Sequence, residues 1–191
     1  IWKSIPSQLA RENKKFIYGS LKHGARAKDF EIAIQWLVDA GLVYKVPLCK
    51  EVKLPLKVYE DPTAFKLFTL DLGLLGAMVG TEAKQVLIKN DIFSEYKGGM
   101  TEQYVLEEMK SNGEENIFYH KSDDGTRLEI DFMIQRDGKL LPIEVKAGGN
   151  VRANSLSNLL KQTPELHAFR YSMKPYIEQE QMTCYPLYAI Q

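Results

Sequence analysis

Cysteine is scarce in this chain of 191 residues: Cys49 and Cys184 stand alone, far apart and without metal-ligand spacing. Two such residues read as free thiols in a reducing, cytoplasmic setting. Long apolar runs are missing as well. No stretch reaches the eighteen residues of a helical membrane span, so no membrane partner is expected. The first residues, "IWKSIPSQLARENKKF", lack an initiator Met and the apolar core of a signal peptide, which is expected of a piece cut from a longer protein. No repeat or low-complexity tract is visible. Net charge is absent too, with 25 Lys+Arg against 25 Asp+Glu. The chain as a whole therefore gives no argument for a nucleic-acid partner.

What is present is an ordinary globular composition, 45% hydrophobic and 26% charged, long enough for one large domain or two small ones. The charge is unevenly spread. Residues 1–60 hold 11 Lys+Arg against 6 Asp+Glu, and residues 61–191 hold 14 against 19. Net values of +5 and −5 cancel between two modules, of which the first is better suited to a phosphate backbone; chance alone also produces an asymmetry of this size.

The first module is expected over residues 1–60. "IPSQLARE" reads as a short helix after Pro6. In "RAKDFEIAIQWLVDAGLVYKV", Ala27, Phe30, Ile34, Leu37 and Val38 recur at helical spacing and Gly41 supplies the stop. "LVYKVPL" and then "KVYED" read as strands. A helix followed by a β-ribbon is how a winged helix-turn-helix closes. Its basic helix region, with Arg26 and Lys28, would touch DNA, or the module would serve only for packing. Residues 61–90 connect the modules, with a strand-like run in "AFKLFTLDLGLLGAMVG" and a short helix after Asp71.

A second pattern fills the rest of 61–191. "MTEQYVLEEMKSNG" is helical, with Val105, Leu106 and Met109 on one side. "NIFYHKS", "RLEIDFMIQ" and "KLLPIEVKA" alternate as strands. "NSLSNLLKQTP" is a helix that Asn154 or Ser155 could cap. "HAFRYSM" and "CYPLYAI" end the chain as strands. This order implies an α/β (α+β) domain with a mixed sheet.

The central hairpin carries the chemistry. A two-residue turn at Asp137-Gly138 sets Arg136 opposite Lys139. Asp131 then falls opposite Glu144 and Glu129 opposite Lys146, all four on one face. Leu128, Ile130, Phe132 and Ile134 meet Leu141, Ile143, Val145 and Ala147 on the other, an expected core face. Opposed residues have Cβ atoms about 4.5–5.5 Å apart, and two carboxylates that close repel unless a cation or proton lies between them. Mg²⁺ or Mn²⁺ would neutralise Asp131 and Glu144 through oxygen ligands and keep waters for chemistry. Lys146 would point at the same spot and stabilise charge on a phosphate. The alternative is an exposed sheet face with a Glu129–Lys146 salt bridge and no metal.

Asp131 followed by Glu144-Val145-Lys146 resembles the Asp…(Asp/Glu)-x-Lys signature of the PD-(D/E)xK nuclease superfamily, and Glu102 in "MTEQYVLEEM" is similar to that superfamily's first-helix glutamate. Over nearly the whole chain, "SIPSQLARENKKFIYGSL", "WLVDAGLVYKV", "FKLFTLDLGLLGAM", "LEIDFMI" and "LPIEVKAG" occur in an order that resembles the C-terminal portion of prokaryotic AAA-type ATPases. That resemblance implies a winged helix, then a nuclease-like α/β domain with Glu102, Asp131, Glu144 and Lys146 as its catalytic set and a basic residue such as His120, Lys121 or Arg127 before the Asp. It also implies an ATPase domain, and with it ATP, in the same polypeptide. The GxxxxGK of a P-loop does not occur in these 191 residues. Three functions are open at this point: metal-dependent DNA cleavage, a non-catalytic module that binds nucleic acid or protein under the ATPase's control, and a regulator of the toxin–antitoxin or defence kind.

Overall fold

The structure, a computed structural model, describes residues 1–11, 14–80, 94–122, 128–148 and 154–190, with the side chains of 94–95 and 154–155 left aside. Helix α1 spans Ile5–Leu9, with Pro6 in the first turn where its missing amide costs nothing. Helix α2 spans Glu31–Asp39 and stops before Gly41, whose φ of 68° is left-handed. Of the five residues expected on its inner face only Ile34 is buried. Ile32 and Trp36 stand out to solvent at 74% and 75% exposure.

Strand β1 runs Val43–Cys49 and β2 runs Glu60–Thr69. The strand expected at "KVYED" begins only at Glu60, because Leu56–Tyr59 form a 3-10 turn. Asp71 caps helix α3 (Leu72–Val79) by accepting the Leu74 amide at 2.6 Å. Helix α4 spans Ser94–Ser111 and buries Val105, Leu106 and Met109 completely.

The remaining elements are β3 (Phe118–Lys121), β4 (Glu129–Arg136), β5 (Lys139–Lys146), α5 (Asn154–Gln162), β6 (Ala168–Ser172), β7 (Ile177–Gln179) and β8 (Met182–Pro186). The fold class is α/β with one mixed eight-stranded sheet in the order β2-β1-β3-β4-β5-β6-β8-β7. Strands β1 and β3, β5 and β6, and β6 and β8 pair parallel; β3–β4, β4–β5 and β7–β8 pair antiparallel. The chain divides into two compact units, residues 1–46 with 63–107 and residues 47–62 with 108–191. Among the described residues no helix is long and apolar enough to cross a membrane, and both cysteines are free and buried.

The hairpin forms as its sequence dictates. Asp137 and Gly138 both take positive φ, 51° and 72°, the two left-handed positions of a type I′ turn. Arg136 pairs with Lys139, and the register runs on to Phe132 opposite Ile143. Phe132, Ile134 and Ile143 are at most 1% exposed, as the apolar face requires.

The other face departs from expectation. Met133 and Leu140 lie on the face expected to be polar, yet are buried in one cluster with Leu156, Leu159 and Leu160 of α5. Ile130, expected on the opposite face, joins that cluster because the β3–β4 register slips between Phe118–Met133 and His120–Ile130. The reason for the cover by α5 is topological. A parallel β5–β6 pair needs a crossover, and the crossover helix lies on the sheet. The hairpin is therefore covered on both faces, which also accounts for β3, where Phe118, Tyr119 and His120 are all buried without alternation.

Candidate functional site

Asp131, Glu144 and Lys146 lie at the end of the hairpin remote from its turn. The paired register of β4 and β5 reaches Phe132–Ile143. Beyond it, where the sequence pattern sets Asp131 opposite Glu144, the Val145 amide donates to Asp131 Oδ2 at 2.8 Å. A side-chain carboxylate thus takes a backbone amide at the place where a ladder bond would come next. Asp131 is half-buried.

Glu144 is buried, at 6% exposure, and each of its oxygens faces a cation. Lys146 Nζ lies 2.9 Å from Oε1, and Arg170 Nε donates to Oε2 at 2.8 Å. The parallel β5–β6 register sets Glu144 directly beside Arg170, so both side chains leave the sheet on one face. Charge-assisted bonds of this length are among the stronger polar contacts a protein makes. The positive charge that a buried carboxylate requires is thus supplied by the chain itself.

Glu102, the fourth residue implied by the resemblance, belongs to the first unit. It is 4% exposed, with Lys14 Nζ at 2.6 Å from Oε1 and Lys66 Nζ at 3.6 Å from Oε2. Lys66 is fully buried. Glu102 is the counter-ion of two lysines there. Asp131, Glu144 and Lys146 belong to the second unit, as does Arg170.

Of the basic candidates before Asp131, His120 is buried with Nδ1 2.9 Å from the Cys49 carbonyl. A carbonyl only accepts, so Nδ1 carries the hydrogen in this contact. Lys121 is ion-paired with Glu129 at 3.6 Å, and Arg127 lies outside the described residues, as do the capping side chains of Asn154 and Ser155. Arg170 was missed by the sequence reading. Its one signal was a lone charge inside the strand "HAFRYSM", but nothing local names Glu144 as its partner.

Among the described residues no group of three or more His, Cys, Asp or Glu side chains is placed to hold a metal ion. Asp131 and Glu144 do fit a hard divalent cation in kind, since both offer oxygens. Glu144 would reach such a cation only through an oxygen that Lys146 or Arg170 gave up. A separate cleft of ≈ 570 Å³ lies at the turn end of β5, lined by residues that include Leu54, Leu140, Leu166 and His167, and by none of the four site residues.

Residues 97–189 match a family model described as "Domain of unknown function (DUF4143)", and residues 1–85 match one described as "Domain of unknown function (DUF8612)". No curated protein matches the chain significantly. Among solved structures the chain is similar to protein VC1899 from Vibrio cholerae at 12% identity, over 98% of this chain and 46% of that one, with a TM-score of 0.34. The chain thus spans about half the length of that protein, and a TM-score this low carries no argument. The two matches follow one another along the chain, each over less than half of its length.

Proposed function

We propose that the second unit is a nuclease-like module of the PD-(D/E)xK kind, acting on the phosphodiester backbone of DNA as the C-terminal part of a longer AAA-type ATP-binding polypeptide. One observation carries this reading: Asp131 and Glu144-Val145-Lys146 come together where the β4–β5 pairing ends, with Asp131 bonded to the Val145 amide. Asp131 and Glu144 would hold Mg²⁺ or Mn²⁺, which when bound supplies an activated water. Lys146 offsets negative charge on the reacting phosphate. Glu102 enters the reading through the resemblance alone. Residues 1–60, with α2 followed by β1 as in a winged helix and an excess of 11 Lys+Arg over 6 Asp+Glu, would contact duplex DNA with an affinity that falls as salt rises.

A second reading has its own support. Both oxygens of Glu144 are engaged by Lys146 and Arg170, which suits a non-catalytic module that binds nucleic acid or a protein under the control of the ATPase domain. Calorimetric titration with Mn²⁺, beside incubation with supercoiled plasmid, separates the two. Metal binding lost in Asp131→Ala, together with metal-dependent nicking, supports the nuclease. Absence of binding at millimolar metal rejects it in favour of the second reading.

A further inference from the structure

We propose that the two cations on Glu144 have different roles: Arg170 is its permanent positioning partner through Oε2, and Lys146 is an exchangeable counter-ion that leaves Oε1 when a divalent cation arrives. This rests on the metal-site reading given above.

The two partners differ in placement. Arg170 stands in the middle of β6, paired on one side with Glu144 and on the other with Cys184. Its backbone is held by two strands, and its side chain is 12% exposed. Lys146 is the last residue of β5, and its side chain is 29% exposed. A guanidinium binds through a rigid planar fork and is poorly compensated if its partner leaves a buried site. An ammonium on a flexible four-carbon stem can carry its charge outward into water while the stem stays packed.

A cation competing for Glu144 therefore takes Oε1 at lower cost than Oε2. Glu144 keeps two positive partners before and after the exchange, so its charge is never left uncompensated. The amine of Lys146 is released only when the divalent ion is in place, which makes it available to a phosphate at that moment. Arg170 acts through Glu144 alone and touches no reacting atom in this scheme.

The test uses the whole chain and Mg²⁺ as the probe, with binding followed by calorimetry. Amines are labelled with an acetylating N-hydroxysuccinimide ester and quantified at each lysine by mass spectrometry. Mg²⁺ is expected to raise labelling of Lys146 several-fold, and Glu144→Gln to make that labelling high and insensitive to the metal. The Nε–H resonance of Arg170, identified by its loss in Arg170→Lys, is expected to persist in both states. A merely structural arginine next to an inert lysine would give no metal-dependent labelling. Binding of Mg²⁺ with unchanged labelling of Lys146 overturns the exchange while leaving the metal site standing. Loss of the Arg170 resonance on adding Mg²⁺ reverses the two roles and overturns the proposal equally. Absence of Mg²⁺ binding at millimolar concentration removes the metal-site reading, and this inference falls with it.

Discussion

Replacing Glu144 by Ala tests whether this carboxylate is part of the fold. A carboxylate on an exposed polar face could be removed at almost no cost in stability. Here the change strips the partner from Arg170, whose side chain is 12% exposed, and from Lys146 at 29%. Breaking a fully buried pair costs about 3–5 kcal/mol, whereas exposed pairs contribute about 0–1 kcal/mol. With Glu144 at 6% exposure, the Glu144→Ala loss falls at about 2–4 kcal/mol, and Lys146→Ala, at the wetter partner, at about 1 kcal/mol or less. Arg170→Ala lies between them, since Lys146 still faces Glu144. The double variant Glu144→Ala/Arg170→Ala leaves neither charge stranded, so its loss is smaller than the sum of the singles by about 1–3 kcal/mol. Urea unfolding at constant m-value reads these differences. Because two compact units can unfold separately, the transition to follow is the one that Ile143→Ala also shifts. A Glu144→Ala variant within about 0.5 kcal/mol of the parent, with an additive double variant, would refute the argument.

Ile143, at 1% exposure opposite Phe132, should cost about 2–5 kcal/mol when cut to Ala, and an unchanged urea midpoint would show that its face is not core. Gly99 lies where a Cβ would sit 2.6 Å from the Leu9 carbonyl oxygen. Gly99→Ala gains about 1 kcal/mol of helix propensity and loses about 1–3 kcal/mol to overpacking, so melting should show a net loss of about 0–2 kcal/mol; a clear gain would deny the close approach. Tyr96 is buried with its hydroxyl unpartnered among the described residues, and burial pushes its phenol well above the ordinary range. Its proton is held more tightly folded than unfolded, so its stabilising contribution is complete below about pH 10 and declines above it by about 1.4 kcal/mol per pH unit until the folded value is reached. Tyr96→Phe should be near neutral at pH 7 and should flatten that alkaline decline; an unchanged pH–stability profile would place the loss elsewhere.

The hairpin was legible because its information is local. Asp137-Gly138 selects the turn, the turn sets Arg136 against Lys139, and a period of two carries that register to Phe132 and Ile143. The end of α2 at Gly41 was legible for the same reason: a left-handed residue stops a helix whatever surrounds it. Burial was less legible. Ala27 and Ile34 share a helical spacing, yet Ile34 is buried and Ala27 exposed, because apolar spacing states which residues share a face and not how much of that face a neighbour covers. The edge strand β7, with its three residues exposed, carries too little apolar pattern to announce itself.

What the sequence by itself determined was the hairpin that carries the charged set Asp131, Glu144 and Lys146, since its turn and its register as far as Phe132 and Ile143 follow from covalent order and the pleat of a strand. What only the tertiary structure decided was what surrounds that set. Arg170 reaches Glu144 because β6 adds parallel to β5 in one particular register, and α5 buries the same face because a parallel pair must be joined by a crossover. Both depend on contacts between residues well separated along the chain, 26 positions for Glu144 and Arg170. Such contacts are chosen by the packing of the whole sheet, so no local window of sequence contains them.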